Sequence, residues 1–412
     1  GTIGIAHTRW ATHGKPSCEN SHPHLDNSNT FAVVHNGIIE NYAELRTFLS
    51  DNGYNFLSQT DTEVIPNLIH YYFSKDTNND DSKFLRAVKT ACNDLKGSYA
   101  ISVVSKLYPN KMIVSRKDSP LVIGCSSGEN YIASDIPAIL SYTKNIYLLN
   151  DYDIAEVYTD SINFYDKDLS PIQKELKNIE WDASAVEKDG YEDYMIKEIY
   201  EQSHTIKETI ISHLKENEPS IFHELNITKE YLSGINKICV VACGTAMHAG
   251  LATKNTFEKL LSIPVEVDIA SEFRYRDPLI NDKTLMIFVS QSGETADTLA
   301  ALKLSKDKGA KTIAVSNVIG SSITREADYT VYTHAGPEIA VASTKAYTSQ
   351  VVLLNVLAIH LAEILGTCDT EKLNTLKSDI LELPKKVNEL LENVDNIKDF
   401  AKKIHQEHDI FF

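Results

Sequence analysis

Two different rhythms of hydrophobic residues divide the chain near residue 178. Before it, short apolar runs typical of β-strands alternate with polar stretches, and helical patterns interrupt them at 42–52 and 61–73. The strand-like runs are 31–34, 99–104, 111–114, 131–133 and 153–158. Many short strands beside a few helices predict an α+β domain with much antiparallel sheet.

The pattern after residue 178 is that of a different domain. Residues 179–190 are polar and lack a period, which predicts a linker, and the charged segment 191–211 has apolar residues near helical spacing. Apolar runs at 238–242, 285–289, 312–315 and 329–333 then alternate with tight loops and helical stretches. This repetition predicts an α/β doubly wound parallel sheet with helices on both faces.

One apolar stretch, 351–365, is longer than the others. It contains Asn355, His360 and Glu363 and is shorter than a bilayer requires, so we expect a buried helix and no membrane partner.

Charge and cysteine usage narrow the function further. The 412 residues carry a formal net charge of −17, and an acidic surface repels phosphate backbones, so nucleic acid is not an expected partner. Six cysteines are scattered without a C-x-x-C pair, and the opening residues lack a charged segment followed by an apolar core. We therefore expect reduced thiols and a cytoplasmic location.

The loop 290–295 (Ser-Gln-Ser-Gly-Glu-Thr) is the best-placed candidate site in the second domain. It follows an apolar strand and precedes a helix, which Thr295 can cap and which we expect to stop at Gly309. Hydroxyls and free N–H groups at a helix N-terminus suit a phosphate, and Gly293 would let the backbone come close. A similar loop at 243–245 favours a binding site over an ordinary capped loop.

This loop resembles that of the sugar isomerase (SIS) domain, which binds phosphosugars, and the resemblance extends to 271–276 and 338–346. It implies phosphate contacts from Thr245, Ser290, Gln291, Ser292 and Thr295, and a sugar lining of Cys243, Gly244, Val341 and Ser343. Ala246 stands where relatives can have a serine, so one hydroxyl contact would be lost. We expect Glu338 and Lys345 to be structural, as a loop acid and a helix N-terminal lysine.

Four polar motifs mark the first domain, at 7–14, 21–24, 34–41 and 58–63. Together they resemble the class II glutamine amidotransferase domain, an N-terminal-nucleophile hydrolase. The resemblance implies glutamine-binding residues Arg9, Thr12, His13, His22 and Asp61, an oxyanion hole at Asn36 and Gly37, and Trp10 as the gate of an ammonia channel. The chemistry is coherent, because a guanidinium suits the substrate carboxylate, a carboxylate suits its ammonium, and N–H donors stabilise an oxyanion.

Histidines at 13, 22 and 24 also admit a metal site. We disfavour it, because the nearest Asp or Glu in register is weakly placed and no H-x-x-x-H helix pattern occurs. Neither a metal nor an organic cofactor is expected.

The two domains in this order, together with the segment 191–202, resemble the glutamine–fructose-6-phosphate aminotransferase (isomerizing) family. The resemblance implies that nitrogen passes from L-glutamine to D-fructose 6-phosphate, giving D-glucosamine 6-phosphate and L-glutamate in amino-sugar synthesis by a homodimer. Two alternatives stay open: a non-catalytic phosphosugar-binding SIS protein, and another class II amidotransferase.

In this family the nucleophile is an N-terminal cysteine, whereas residue 1 is Gly1 and Cys18 is internal. The lysine, base and histidine of a second SIS subdomain also have no position in the sequence. We therefore expect an internal fragment that is inactive alone. The expected boundaries are 1–178 for the amidotransferase domain, 179–190 for the linker, 191–234 for a helical junction, 235–375 for the first SIS subdomain, and 376–412 for a helical connection and the start of the second.

Overall fold

The computed structural model describes residues 2–8, 14–179, 187–223 and 225–410. The chain divides into two compact units, Gly1–Val186 and Glu187–Phe412. Each unit has hydrophobic clusters of its own.

The first unit is built from two antiparallel sheets and three helices. Its strands are β1 (His24–Leu25), β2 (Phe31–Ile39), β3 (Gly97–Ser105), β4 (Met112–Lys117), β5 (Val122–Ser126), β6 (Glu129–Ala133), β7 (Asn145–Leu148), β8 (Ile154–Val157), β9 (Ile162–Tyr165), β10 (Pro171–Ile172) and β11 (Lys177–Asn178). Its helices are α1 (Tyr42–Asp51), α2 (Val64–Lys75) and α3 (Lys83–Asp94). The sheets have the orders β1-β2-β3-β4-β8-β9-β10 and β11-β7-β5-β6, which confirms the α+β prediction.

Side-chain alternation along β3 explains the layering of this unit. Tyr99, Ile101 and Val103 face a cluster that includes residues of all three helices, whereas Ala100 belongs to a cluster that includes β5 residues of the small sheet. Successive side chains of a strand point to opposite faces, so one strand serves both cores.

Helix α3 of the first unit was not predicted from the sequence, and two predicted elements have different bounds in the structure. Strand β2 continues beyond residue 34, because it pairs with β3 from Phe31 to Ile39, and this places Asn36 and Gly37 inside a strand. Helix α2 begins at Val64 rather than near residue 61. Asp61 accepts a backbone N–H bond from Ile39 on β2, and Glu63 accepts two from Leu57 and Ser58, which holds 58–63 as a loop.

The second unit is a five-stranded parallel sheet with helices on both faces, as predicted. The strands are β12 (Lys237–Ala242), β13 (Val265–Ile269), β14 (Thr284–Ser290), β15 (Lys311–Ser316) and β16 (Tyr329–Tyr332), in the order β13-β12-β14-β15-β16. The helices are α4 (Tyr194–Ile211), α5 (Lys229–Ser233), α6 (Gly244–Leu261), α7 (Ala270–Phe273), α8 (Ala296–Asp307), α9 (Ser322–Glu326), α10 (Lys345–Leu365), α11 (Thr370–Leu381), α12 (Leu383–Leu391) and α13 (Asp395–Ile404). Helices α4, α6 and α10 contribute to the cluster on one face, and α7, α8 and α9 to the cluster on the other.

Helix α10 contains the apolar stretch that the sequence analysis predicted to be buried. Among the described residues it is the one helix long and apolar enough to cross a membrane, but 61% of its most apolar window is buried. Leu353, Leu354 and Leu357 are fully buried in the cluster that α10 shares with α4 and α6. The buried-helix prediction is therefore confirmed.

Candidate functional site

The candidate phosphosugar site lies where the order of the parallel sheet reverses. Strands β12 and β14 are neighbours, and their register pairs Ala242 with Val289, so Cys243 and Ser290 follow at the same edge of the sheet. Helix α6 begins directly after Cys243, and helix α8 begins after Thr295. Ligands of doubly wound sheets bind in the crevice outside the carboxyl ends of the strands at such a switch point.

A cavity of about 220 Å³ occupies this position. Every residue that the sequence predicted to bind the sugar phosphate lines it, except Gly244. The lining residues are Cys243, Thr245, Ala246, Val289, Ser290, Gln291, Ser292, Thr295, Glu338, Ala340, Val341, Ser343 and Gln350. Ala246 is among them, so the position where a serine would add a hydroxyl does face the cavity.

Hydroxyl groups organise the loop between β14 and α8. The buried Ser290 Oγ accepts a hydrogen bond from Gly293 N at 3.0 Å and lies 3.0 Å from Thr295 Oγ1. Ser292 Oγ accepts from Glu294 N at 3.2 Å. Thr295 occupies the N-cap position of α8 with extended backbone angles, but its hydroxyl makes no cap hydrogen bond. The predicted side-chain cap is therefore wrong, because the hydroxyl is directed to Ser290 instead.

The structure explains why residue 293 is a glycine, which the sequence did not reveal. Its φ is +67°, and a Cβ at this position would lie 2.0 Å from Ser321 Oγ. The left-handed backbone and the close approach of Ser321 therefore require glycine at this position, whether or not a ligand is bound. The predicted end of α8 is confirmed, since the helix ends at Asp307 and Gly309 has a φ of +85°.

The loop 336–344 forms another wall of the cavity, beside the loop 290–295. Two carboxylates hold this loop in place. Glu198 on α4 accepts hydrogen bonds from Ile339 N at 2.6 Å and Ala340 N at 3.0 Å, and burial raises the pKa of its carboxyl. Glu338 accepts from Thr344 N at 2.9 Å and from the first turn of α10 at 3.0 Å.

Lys345, the first residue of α10, is buried, and its Nζ donates to Glu201 Oε2 at 2.6 Å. This ion pair and the backbone bonds of Glu338 fit the predicted structural roles, although Glu338 also lines the cavity. Lys345 is not among the residues that line the cavity.

Sequence reasoning missed Val289, Ala340 and Gln350 as lining residues. Gln350 lies in the second turn of α10, where only 2% of it is exposed, and its Oε1 has no hydrogen-bond partner among the described residues. The available signal was a polar residue next to the long apolar stretch of the same helix.

In the first unit, a second cavity of about 430 Å³ lies beside β2. Its lining includes Ala6, His7, Thr8, His35 and Asn36. The predicted glutamine-binding residues Arg9, Thr12 and His13 and the predicted gate Trp10 lie outside the described residues.

A chain of hydrogen bonds connects two of the histidine-containing motifs. Thr62 Oγ1 lies 3.1 Å from His22 Nε2 and 2.9 Å from His35 Nδ1, and the rings of His7 and His22 are 4.4 Å apart. His35 is fully buried, and burial lowers its pKa to about 4, although the nearby Asp61 carboxylate opposes the shift. The buried imidazole is therefore neutral at pH 7.

The remaining predicted residues of the glutamine pocket also have structural roles. Asp61 is 5% exposed, and its Oδ2 accepts from Ile39 N at 2.8 Å. Gly37 has a φ of +139°, and a Cβ there would lie 2.2 Å from Ser98 O on β3. Neither Asp61 nor His22 lines the cavity beside β2. Within the described ranges, no three His, Cys, Asp or Glu residues form a group that could hold a metal, and His24 Nε2 instead lies 3.1 Å from Thr60 Oγ1.

Comparisons with known proteins agree with this division of the chain. Residues 7–141 match the family model of a glutamine amidotransferase domain, and residues 231–360 match that of the SIS domain. The α+β amidotransferase fold followed by a parallel-sheet SIS fold is therefore the fold class of this chain. Among solved structures, the C-terminal domain of glucosamine-fructose-6-phosphate aminotransferase from Francisella tularensis is similar, with a TM-score of 0.51 and 37% identity over 53% of this chain and 62% of that chain.

Alignments with curated relatives cover the whole chain. It is 53% identical over 412 residues to glutamine–fructose-6-phosphate aminotransferase (isomerizing) of Clostridium perfringens and 52% identical to that of Clostridium tetani. These alignments cover 66% and 67% of the relatives, so the chain spans about two thirds of their length. The chain belongs to the glutamine–fructose-6-phosphate aminotransferase family.

Proposed function

We propose that this chain supplies the glutamine pocket and a phosphosugar site of an enzyme that transfers the amide nitrogen of L-glutamine to D-fructose 6-phosphate. The products are D-glucosamine 6-phosphate and L-glutamate. The cavity at the switch point of the parallel sheet carries the proposal, because the residues predicted to bind the sugar phosphate from sequence converge there.

The phosphate is assigned to the side of the cavity formed by Thr245, Ser290, Gln291, Ser292 and Thr295. Two helices of 18 and 12 residues, α6 and α8, begin at this side, and their N-terminal N–H groups and positive dipole ends favour an anion. The sugar then extends toward Cys243, Gly244, Val341 and Ser343, where the only charged lining residue among the described ones, Glu338, also lies.

The glutamine pocket is assigned to the first unit. Arg9 would bind the carboxylate of glutamine and Asp61 its ammonium, while Asn36 and the Gly37 N–H would stabilise the oxyanion. Thr12, His13 and His22 would shape the pocket, and Trp10 would gate the passage of ammonia. The cavity beside β2 supports this assignment, because Asn36 lies there together with the residues that lead into Arg9.

Calorimetry with fructose 6-phosphate on the whole chain tests the phosphosugar site. We expect Ser290→Ala to weaken binding about tenfold, because a buried hydroxyl that contacts the loop and the phosphate is lost. Ser305→Ala is the matched control, since Ser305 is a buried serine of α8 whose Oγ donates only to Ala301 O. Equal binding by the wild type and Ser290→Ala would contradict the assignment.

A homodimer, a cytoplasmic location, and the absence of nucleic-acid and membrane partners stay predictions from composition and resemblance.

A further inference from the structure

Gln350 is a buried polar residue that the folded protein leaves without a partner. Its side chain lines the phosphosugar cavity, and its Oε1 accepts no hydrogen bond within the described part of the chain. Unpaired buried acceptors are costly and uncommon in folded proteins. A carboxamide in the cavity lining whose oxygen has no partner therefore points to a ligand group that can exchange hydrogen bonds with it.

The chemistry of the cavity separates two kinds of ligand group. The side formed by 290–295 offers donors, which suit a phosphate, because phosphate oxygens at neutral pH mainly accept hydrogen bonds. The Gln350 oxygen needs a donor, which a phosphate dianion does not supply. A sugar hydroxyl both donates and accepts, so it matches the carboxamide in either orientation.

We propose that Gln350 binds a hydroxyl group of the sugar and thereby selects a phosphorylated sugar over a simple phosphate. This inference rests on the proposed function, because it assumes that the cavity accepts a phosphosugar. It assigns to Gln350 a direct contact with the sugar part of the ligand.

Ser349 provides a matched control from the same helical turn. Its side chain is fully buried and its Oγ also lacks a partner among the described residues, but Ser349 does not line the cavity. Substitutions at both positions therefore remove an unpaired buried polar atom, and only one of them changes the cavity wall.

The test compares fructose 6-phosphate with inorganic phosphate by calorimetry on the whole chain. We expect Gln350→Met, which keeps the length of the side chain, to weaken fructose 6-phosphate binding about tenfold and to leave inorganic phosphate binding unchanged. Ser349→Ala should change neither affinity. The melting temperature of Gln350→Met should not fall, since no hydrogen bond of the unliganded protein is lost.

If Gln350→Met still binds inorganic phosphate, its site is folded. A loss of fructose 6-phosphate binding then cannot be attributed to misfolding. Wild-type affinity of Gln350→Met for fructose 6-phosphate would overturn the inference and indicate that water pairs with the amide. An equal loss for both ligands would also overturn it. A wild type that binds neither ligand, or a Ser290→Ala variant that binds both normally, would instead refute the proposed function, and the inference with it.

Discussion

His35 shows how a single buried side chain makes the first unit sensitive to pH. Its pKa is lowered to about 4, mainly by burial and in part by His7 and His24, against the attraction of the Asp61 carboxylate. In the unfolded chain a histidine takes up its proton near pH 6.5. The unfolded state therefore binds more protons between about pH 6.5 and about pH 4, and the stability of the folded state falls as the pH drops through this window.

We expect His35→Gln to reduce this pH dependence by up to about 1.4 kcal/mol per pH unit, the value for one proton. Urea unfolding at several pH values between about 4.5 and 7 measures it, and amide hydrogen exchange along the paired strands β2 and β3 reports on the first unit. His405→Gln, at an exposed position of the second unit, is the control. Identical slopes for the wild type and His35→Gln would show that another group causes the dependence.

At the scale of elements, the loop 336–344 depends on a helix that lies far away in sequence. Glu198 of α4 accepts the N–H groups of Ile339 and Ala340, and this loop forms one wall of the phosphosugar cavity. We expect Glu198→Ala to speed amide hydrogen exchange at both positions and to weaken fructose 6-phosphate binding. The stability loss should be about 1–3 kcal/mol, because two backbone donors lose their acceptor.

Glu198→Gln tests whether the hydrogen bonds of Glu198 or its negative charge hold the loop 336–344, because the amide oxygen can still accept both N–H bonds. It should restore slow exchange at Ile339 and Ala340 and most of the affinity. Glu192→Ala, at an exposed acid just before α4, should behave like the wild type. Slow exchange at both amides in Glu198→Ala would argue against the positioning role.

Local signals in the sequence predicted much of the fold and the site, and long-range contacts explain the rest. The alternation of strand and helix predicted the parallel sheet, and the loop 290–295 predicted the binding cavity at its edge. The hydrogen bond from Ile339 to Glu198 spans 141 positions, so no local pattern could indicate it. The hydroxyl of Thr295 could cap α8 or contact Ser290, and only the folded loop decides between them. Gln350 was not identified because its burial is set by the packing of α10.

At the scale of the whole molecule, the proposed ligand and the protein have charges of the same sign. The net charge is −17, and the residues that line the phosphosugar cavity include no lysine or arginine among those described. The phosphate would therefore be bound by hydroxyl and N–H dipoles, while the surrounding acidic surface repels it at long range. Such a balance of local attraction and distant repulsion predicts an unusual salt dependence.

We expect the affinity for fructose 6-phosphate to rise up to a few-fold when NaCl increases from about 20 to about 200 mM, because the Debye length shortens to below about 10 Å and screens the distant repulsion. The short hydrogen bonds of the site are screened much less. Calorimetric titrations in NaCl and in KCl at equal ionic strength measure the effect and control for a specific cation. An affinity that falls with salt in both series would indicate that cationic side chains bind the phosphate, contrary to the dipole-based site.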